Sequence, residues 1–439
     1  MKAAIDENKK REQDIVLGKW KDAEFKGTWC AATGCGKTRV GVIASSEFIR
    51  RDNTENSIVI VPTENLRDNE WENSFLQWGY TREREKVEIV CIQTAYKYSG
   101  KHYNTVVMDE VHLSLSEQYG LFLKNNTFDR ILCLTATPPE DQDKLNFLTS
   151  IAPVIWVTDT KRARELKLIA ESLIFNLGVQ LTEDERKMYD EINRQYLFYE
   201  HQLGGNFKAF DASSRFLRLQ SASKDCSNMR VLISENRVIY AHEINEITIR
   251  STDCRALTLD EASLLQSRVH QSRMFWRYMR NRRERCLVAS NKIFLTKQIC
   301  ERYPDRKGII FSEVIDFADR ITQAIGDKCI SFHSKQTDDL RKTALDSFKN
   351  GEKQYLSTVK ALNTGLDVPD CSLGVATGGD SKKLARIQRT GRTSRYAEGK
   401  TSYFINLYAK DTQEFNWVRN GTRNEQVKWI ESIDELPLK

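Results

Sequence analysis

A short loop near the amino terminus has the composition of a phosphate-binding turn. It reads Ala31-Ala32-Thr33-Gly34-Cys35-Gly36-Lys37-Thr38 and lies where a predicted strand meets a predicted helix. Its glycines allow backbone N–H groups to approach phosphate oxygens, and the start of a helix adds positive potential. We expect Lys37 to reach the β and γ phosphates of a nucleotide, and the Thr38 hydroxyl to face Mg²⁺. A strict P-loop has glycine in place of Ala31, so the loop alone is a moderately specific signal.

A pair of acids, Asp109-Glu110, follows the apolar run Val106-Val107-Met108 about 70 residues after the loop. Two carboxylates at the end of a buried strand are costly unless charged partners meet them there. We expect Asp109 to hold Mg²⁺ through its water shell, and Glu110 to orient and deprotonate an attacking water. A solvated loop is the alternative interpretation, but the position of the pair after a P-loop favours nucleotide hydrolysis.

The segment from Gln388 to Arg395 places three arginines at spacings of three residues. Because residues three apart share a helix face, Arg389, Arg392 and Arg395 could bind one anion, although a basic surface helix has the same pattern. Upstream, the polar stretch Asn363–Pro369 follows a predicted strand and could touch a ribose or transmit a conformational change.

The elements that must position these residues form two α/β regions. Largely continuous apolar runs predict the buried strands of parallel sheets that are covered on both faces. These runs are residues 57–61, 87–92, 105–108 and 131–134 in the first region, and 308–311, 329–332, 354–358 and 373–376 in the second. Helical patterns between the strands supply the crossovers of βαβ units, at residues 37–50, 65–78, 314–325 and 337–350.

The segment between the two regions is polar, arginine-rich and mostly helical in pattern. A helix start is predicted at Leu181–Glu185, and a loop at Gly204-Gly205. Residues 273–307 contain eleven Lys or Arg against three acids, which fits a solvated helix face or a nucleic-acid contact surface about equally. The predicted division is a first domain over residues 1–160, a helical insert over 161–285, a second domain over 286–410 and a tail over 411–439.

Composition excludes several classes of protein. The 439 residues carry a net charge of 67 − 61 = +6, which is compatible with a polyanionic partner without demonstrating one. The longest stretch without Asp, Glu, Lys or Arg, Leu145–Thr158, has 14 residues, whereas a membrane-spanning helix needs about 20. The amino terminus has no apolar signal core, so we expect a cytoplasmic protein. None of the ten cysteines forms a C-x2-C pair, which predicts buried reduced thiols rather than a zinc site.

The ordered set of motifs resembles the superfamily 2 helicases of the DExH kind, from about residue 11 to residue 400. The matching segments are 31–38, Val61-Pro62-Thr63, Ile92-Gln93-Thr94, Asp109–His112, Thr135-Ala136-Thr137, 308–312, 358–370 and 388–395. Ala31 is what this family usually has in its P-loop. The approach to the loop, Lys26-Gly27-Thr28-Trp29, more loosely resembles phage-encoded helicases for recombination or branch migration.

The resemblance implies two RecA-like domains with ATP and Mg²⁺ between them. The residues that it assigns to the nucleotide are Gln13, Thr33, Gly34, Cys35, Gly36, Lys37, Thr38, Arg39, Gly365 and Asp367. Arg392 and Arg395 would be arginine fingers with Gln388 nearby, and Gln13 would read the adenine edge. The motif around Gln13 departs from the family pattern, because Glu12 replaces the usual aromatic residue.

The resemblance also assigns a nucleic-acid track, whose residues would mainly contact phosphates. Its members are Pro62, Thr63, Arg67, Gln93, Thr94, His333 and Thr358. Thr135 and Thr137 would couple hydrolysis to movement.

Three functions fit these observations. The favoured one is an ATP-dependent DNA helicase or translocase, acting as a monomer on single-stranded, forked or branched DNA. An RNA helicase is the second, because a motor that grips phosphates does not by itself choose the sugar. A non-catalytic nucleic-acid clamp is the third, and the intact hydrolysis residues argue against it.

Overall fold

The computed structural model describes residues 2–136, 138–139, 141–224, 259–359, 371–378, 401–422 and 426–438. Several predicted site residues therefore lie outside the described residues, namely Thr137, Gly365, Asp367, Gln388, Arg392 and Arg395. The chain divides into two compact units. One comprises Met1–Val179, Lys292–Tyr408 and Phe415–Lys439; the other, here called the helical unit, comprises Gln180–Asn291 and Ala409–Glu414.

The first sheet is entirely parallel and positions both halves of the predicted hydrolysis site. Its strands are β1 (Lys26–Ala31), β2 (Ser57–Val61), β3 (Val87–Cys91), β4 (His102–Met108), β5 (Thr127–Thr135) and β6 (Val154–Thr158), in the order β3-β2-β4-β5-β1-β6. The predicted strands are confirmed. Strands β1 and β4 both pair with β5 in parallel, so their carboxyl ends lie at the same edge of the sheet. The P-loop follows β1 and the acidic pair follows β4, and both therefore open onto this edge, here called the first carboxyl edge.

Helices cover both faces of the first sheet. They are α1 (Lys2–Asp22), α2 (Lys37–Arg51), a π-helical turn (Leu66–Trp71), α3 (Glu72–Gln77), α4 (Thr81–Arg84), α5 (Ile92–Ala95), a 3-10 turn (Val111–Leu115), α6 (Leu121–Asn125), α7 (Gln142–Ile151) and α8 (Thr160–Glu165). Successive residues of a strand point to opposite faces, so Leu132 and Leu134 pack with Trp71 on one side while Ile131 and Cys133 pack on the other. Because both faces of the sheet are buried, successive residues of these strands are all apolar, which explains the continuous apolar runs in the sequence.

The second sheet has seven strands, of which three were not predicted. The strands are β7 (Glu171–Val179), β8 (Gly308–Ser312), β9 (Cys329–Phe332), β10 (Tyr355–Val359), β11 (Leu373–Ala376), β12 (Thr401–Ala409) and β13 (Val427–Ile430), in the order β13-β7-β12-β11-β8-β10-β9. Helices α12 (Ser290–Arg302), α13 (Ile315–Ile325), α14 (Asp338–Lys349) and α15 (Gln413–Gly421) and a 3-10 turn (Ile433–Glu435) accompany them.

The unexpected strands are β7, β12 and β13. Residues 171–179, which lie within the segment predicted as mainly helical, form β7, and the predicted tail supplies β13, which pairs with β7 in parallel. Asn176, inside β7, is buried and its Oδ1 accepts a bond of 2.8 Å from the side-chain amide of Asn406. A polar residue in a strand is satisfied here by a partner far away in sequence, which local patterning does not reveal.

The helical unit contains α9 (Glu183–Gln202), α10 (Asn206–Lys224) and α11 (Leu259–Leu287). The predicted helix start is confirmed: the Thr182 hydroxyl accepts the Glu185 N–H, and the Glu185 carboxylate accepts the Thr182 N–H. Gly204 and Gly205 both have positive φ in the turn after α9, as predicted for that loop. Aromatic rings from all three helices, including Tyr196, Phe216 and Phe275, form the core.

In the described ranges, no helix combines the length and the apolar character needed to cross a membrane. The eight cysteines within those ranges are buried free thiols. Among the same residues, no group of three or more His, Cys, Asp or Glu is arranged to hold a metal ion.

Candidate active site

The P-loop joins β1 to α2 through two glycines in left-handed conformations. Gly34 has φ 96° and Gly36 has φ 83°, a region that glycine enters without a steric penalty. A Cβ atom at Gly36 would overlap the side-chain amide of Gln13. Because α2 begins at Lys37, the loop leads directly into a helix N-terminus, where unpaired backbone N–H groups favour an anion.

Lys37 lies next to the acidic pair. Its Nζ donates to the Ala31 carbonyl at 3.1 Å and lies 3.8 Å from Glu110 Oε1. Glu110 has φ 48° and ψ 52°, a left-handed backbone conformation that is uncommon outside glycine and is often found at functional sites. Its N–H donates to Asp109 Oδ1 at 3.0 Å. The structure thus brings together Lys37, Asp109 and Glu110, which the sequence separates by about 70 residues.

The electrostatics of the acidic pair fit a cation site. Burial, and then the neighbouring Glu110 carboxylate, raise the pKa of Asp109 to about 7. Glu110 Oε2 is buried without a hydrogen-bond partner. Buried carboxyls that destabilise each other's charge are the kind of group that a divalent cation neutralises. Asp109 and Thr38 therefore fit a Mg²⁺ site, and the ion would supply positive charge to phosphate oxygens there.

His112 links the acidic pair to the end of β5. Its Nδ1 lies 3.0 Å from Thr135 Oγ1 and 3.5 Å from Glu110 Oε2. Burial lowers the pKa of His112 below its usual value of 6.5, so the imidazole is neutral near pH 7. Thr135, for which we predicted a coupling role, therefore contacts the segment that carries the acidic pair.

Gln13, on α1, binds the P-loop. Its Nε2 donates to the carbonyls of Cys35 and Gly36, both at 3.2 Å. Its Oε1 accepts a bond from the guanidinium of Arg39. Both ends of the amide are occupied by protein groups, so contact with an adenine edge requires Gln13 to exchange one of these partners.

Glu12 has a structural role that the sequence did not indicate. It is 3% exposed and accepts bonds from Trp156 Nε1 at 2.8 Å, Thr158 Oγ1 at 2.7 Å and Arg162 Nε at 3.0 Å. Burial by itself would raise the pKa of Glu12, but these hydrogen bonds, with Arg162 foremost, bring the pKa below its usual value. Glu12 therefore anchors α1 to β6 and α8, and its distant partners explain why local sequence gave no signal.

The first-sheet residues predicted to contact nucleic acid lie in the segments after β2 and β3, which are neighbouring strands. Gln93 Nε2 donates to the Pro62 carbonyl at 3.2 Å, and Arg67 N–H donates to the Thr63 carbonyl at 3.1 Å. Thr94 is exposed. The structure therefore brings Pro62, Thr63, Arg67, Gln93 and Thr94 to one end of this sheet.

His333 and Thr358 lie together at the carboxyl end of neighbouring strands in the second sheet. Thr358 pairs with Phe332, the residue before His333. His333 Nε2 lies 3.1 Å from Asp319 Oδ1, whereas the buried His333 Nδ1 and Thr358 Oγ1 have no hydrogen-bond partner. Buried polar atoms of this kind usually meet a ligand or an ordered water.

Trp71 is a second residue that sequence reasoning missed. Its indole Nε1 donates to Asp109 Oδ2 at 3.2 Å, so it contacts the predicted Mg²⁺ carboxylate from the turn that carries Arg67. The sequence did offer a signal that this residue is buried: a tryptophan follows three polar residues, Asp68-Asn69-Glu70, in the predicted helix 65–78.

Two protein-family models match the chain. The model described as "Type III restriction enzyme, res subunit" matches residues 4–140. The model described as "Helicase conserved C-terminal domain" matches residues 289–397. These segments hold the first-sheet and second-sheet motifs, respectively.

Individual proteins and one solved structure are also similar to this chain. The "DNA 3'-5' translocase XPB2" of Sulfurisphaera tokodaii is 24% identical over 412 residues, covering 90% of this chain and 80% of the relative. The "ATP-dependent RNA helicase DbpA" of Bacillus subtilis is 27% identical over 124 residues, 27% of this chain and 26% of the relative. The crystal structure of the Pyrococcus furiosus Hef helicase domain superposes with a TM-score of 0.51 at 17% identity, covering 92% of this chain and 96% of that one, which shows a shared fold.

Proposed function

Because this chain is a superfamily 2 helicase, we propose that it is an ATP-dependent DNA translocase or helicase. Hydrolysis at the first carboxyl edge would drive movement along DNA or its unwinding. The observation that carries this proposal is the 3.8 Å approach of Lys37 Nζ to Glu110 Oε1, since it unites a phosphate-binding lysine with a candidate water-activating carboxylate.

Each residue at the edge has a separate task. Lys37 and the amides of the P-loop would hold the β and γ phosphates, and Thr38 with Asp109 would hold Mg²⁺. Glu110 would orient the attacking water and accept its proton. Lys37 contacts Ala31 and Glu110, so phosphate binding would take Lys37 from Glu110 and release that carboxylate for the water.

The proposal extends to residues outside the described ranges. Gln388, Arg392 and Arg395 would complete the site by stabilising charge on the transferred phosphoryl group, and Gly365 and Asp367 would contact the ribose side. Arg395→Ala should lower hydrolysis strongly while DNA affinity changes little. An unchanged hydrolysis rate would remove the finger role.

We propose DNA as the polymer and 3′-to-5′ as the direction of movement, because the relative with 90% coverage is named a DNA 3'-5' translocase. Steady-state ATP hydrolysis with single-stranded DNA, forked DNA, four-way junctions and RNA, compared side by side, tests the polymer. Duplexes with a 3′ or a 5′ single-stranded tail test the direction. Stronger stimulation by RNA than by any DNA would favour the second candidate, an RNA helicase, for which the similarity to DbpA is the supporting observation.

A role in recombination or branch migration is the finer proposal for the biological process. It is supported by the resemblance of residues 26–29 to phage-encoded helicases, and it predicts that four-way junctions stimulate hydrolysis more than forks do. Equal stimulation by both substrates would count against this role.

We further propose that the helical unit contacts nucleic acid. Arg273, Arg277 and Arg280 are exposed on α11, and their spacing of four and three residues places them on one helix face. Two other basic residues of the 273–307 segment, Arg282 and Lys292, are buried, so only part of that charge can meet phosphates.

Arg277→Ala tests this contact. It should weaken DNA binding and reduce the slope of log affinity against log salt concentration by about 0.7 for a single strand. An unchanged slope would assign the arginines to the solvated face of a helix.

A further inference from the structure

Trp71 joins the P-loop helix to the predicted Mg²⁺ carboxylate. It is 0% exposed, and its Nε1 lies 3.2 Å from Asp109 Oδ2. The edge of its ring packs against α2 at Gly41, where an added Cβ would overlap the ring. The indole fits against α2 only because residue 41 of that helix is glycine.

The carboxylate of Asp109 is oriented from two sides. Oδ1 accepts the Glu110 N–H at 3.0 Å, and Oδ2 accepts the Trp71 N–H at 3.2 Å. The first donor belongs to the backbone of the same loop, whereas Trp71 comes from the segment after β2. A movement of that segment would therefore change the orientation of Asp109 without any change in the loop after β4.

The same segment reaches the surface at Arg67. Arg67 and Trp71 lie four residues apart in the π-helical turn Leu66–Trp71, a rare conformation that is frequently found at functional sites. The Arg67 guanidinium forms a bidentate pair with Asp68, with N–O distances of 2.6 and 2.9 Å, and its side chain is 34% exposed. A phosphate that binds Arg67 competes with Asp68 for the same guanidinium edge.

We propose that Leu66–Trp71 is a relay through which DNA bound at Arg67 repositions Asp109 and so accelerates ATP hydrolysis. Trp71 is a positioning residue in this relay. Exchange of Asp68 for a phosphate would move the turn, and the indole, confined between Gly41 and Asp109, would carry that movement to the carboxylate. The inference rests on the proposed function, since it presupposes a nucleic-acid-stimulated ATPase.

The test compares two tryptophan variants of the full chain. Trp71→Phe removes the N–H donor to Asp109. Trp29→Phe is the matched control, because Trp29 is also 0% exposed and its Nε1 donates to Thr158 Oγ1 at 3.0 Å rather than to the acidic pair. Each substitution removes one buried indole and one hydrogen bond, so a purely structural effect should be similar in both.

Two quantities are measured. One is the stimulation ratio, the hydrolysis rate with single-stranded DNA divided by the rate without it. The other is the coupling factor, the change in affinity for labelled single-stranded DNA on adding a non-hydrolysable ATP analogue with Mg²⁺, measured by fluorescence anisotropy. We expect Trp71→Phe to reduce the stimulation ratio about tenfold and to bring the coupling factor close to one, while Trp29→Phe keeps both.

Gly41→Ala provides a second, independent perturbation, because the added methyl group displaces the Trp71 ring while the indole keeps its N–H group. Alanine favours the helix more than glycine does, which offsets part of the cost of crowding the Trp71 ring, and thermal unfolding of each variant shows which of them is folded. We expect Gly41→Ala to lower the coupling factor as well. Wild-type values of both quantities in Trp71→Phe, or in Gly41→Ala if that is the variant that folds, would overturn the relay. Absence of any DNA or RNA stimulation in the wild-type protein would instead overturn the proposed function.

Discussion

The first carboxyl edge and the helical unit both bury charged side chains, but they surround them differently. At the edge, Asp109 and Glu110 are adjacent carboxyls, and Glu110 Oε2 has no hydrogen-bond partner. In the helical unit, Arg282 is 8% exposed and its Nε also lacks a hydrogen-bond partner, but its guanidinium carbon lies 3.6 Å from the centroid of the Tyr196 ring and it donates to Asn193 Oδ1 at 3.0 Å. The contrast is therefore between two like charges side by side and a single cation held by a ring and an amide.

The first carboxyl edge and the helical unit also differ in backbone conformation. Glu110 has a left-handed backbone between β4 and a 3-10 turn, whereas α9 begins at a complete capping box. Strain and unmet charge are tolerated where a ligand will supply the missing interactions. A scaffold that presents exposed arginines to a polymer gains from being stably folded before the polymer binds. The comparison predicts that substitutions at the edge change chemistry, whereas substitutions in the helical unit change stability or affinity.

The largest effect is expected for Lys37→Ala. Removing the phosphate-binding ammonium should slow ATP hydrolysis by about 10²–10³-fold or more, measured as phosphate release with saturating single-stranded DNA. Lys26→Ala is the matched control, because Lys26 is exposed at the opposite end of the same strand, β1. Retained DNA-stimulated hydrolysis in Lys37→Ala would refute the P-loop assignment.

The next effect is expected for Glu110→Gln. The amide keeps the size of the side chain but cannot accept the proton of the attacking water, so hydrolysis should fall on the order of 10²–10⁴-fold. Binding of a fluorescent ATP analogue should persist, which separates this variant from Lys37→Ala. A normal hydrolysis rate would show that another group activates the water.

In the helical unit, Arg282→Ala should lower the free energy of unfolding by about 2 kcal/mol, because it removes a desolvated cation–π contact and leaves Asn193 without its donor. Urea denaturation followed by circular dichroism measures this change. Arg277→Ala, on the exposed side of the same helix, should stay within about 0.5 kcal/mol of the wild type. Equal destabilisation by the two variants would show that the buried contacts of Arg282 do not stabilise the helical unit.

The smallest effect is expected for Asp68→Asn. Asp68 pairs with Arg67 at the surface, and loss of its charge should strengthen single-stranded DNA binding by roughly two- to fivefold, the range measured for exposed ion pairs. Asp129→Asn is a control at an exposed carboxylate near the amino end of β5. Weaker binding by Asp68→Asn would mean that Asp68 assists Arg67 rather than competing for it.

Much of the fold was predictable because strands buried on both faces have continuous apolar sequences. The strands at 57–61, 308–312 and 373–376 were identified to within a residue on this basis. Strands β6, β7, β12 and β13 were not predicted, although β12 is buried at eight of its nine residues. For β7 and β13 the reason is physical. β7 carries a buried asparagine that pairs with Asn406, and β13 is short and largely exposed at Lys428 and Trp429, so neither has an apolar run that stands out.

The sequence alone determined the chemical groups of the candidate site and their order. A P-loop and a strand-end acidic pair are recognisable locally, because backbone N–H groups, a lysine and two carboxylates must occur at fixed spacings to meet a nucleotide. Only the tertiary structure decided what surrounds them. The contacts of Glu12 with Trp156, of Gln13 with Gly36 and of Trp71 with Asp109 join residues 23 to 144 positions apart, and hydrogen bonds across such separations depend on how the sheet aligns its strands, which no local pattern encodes.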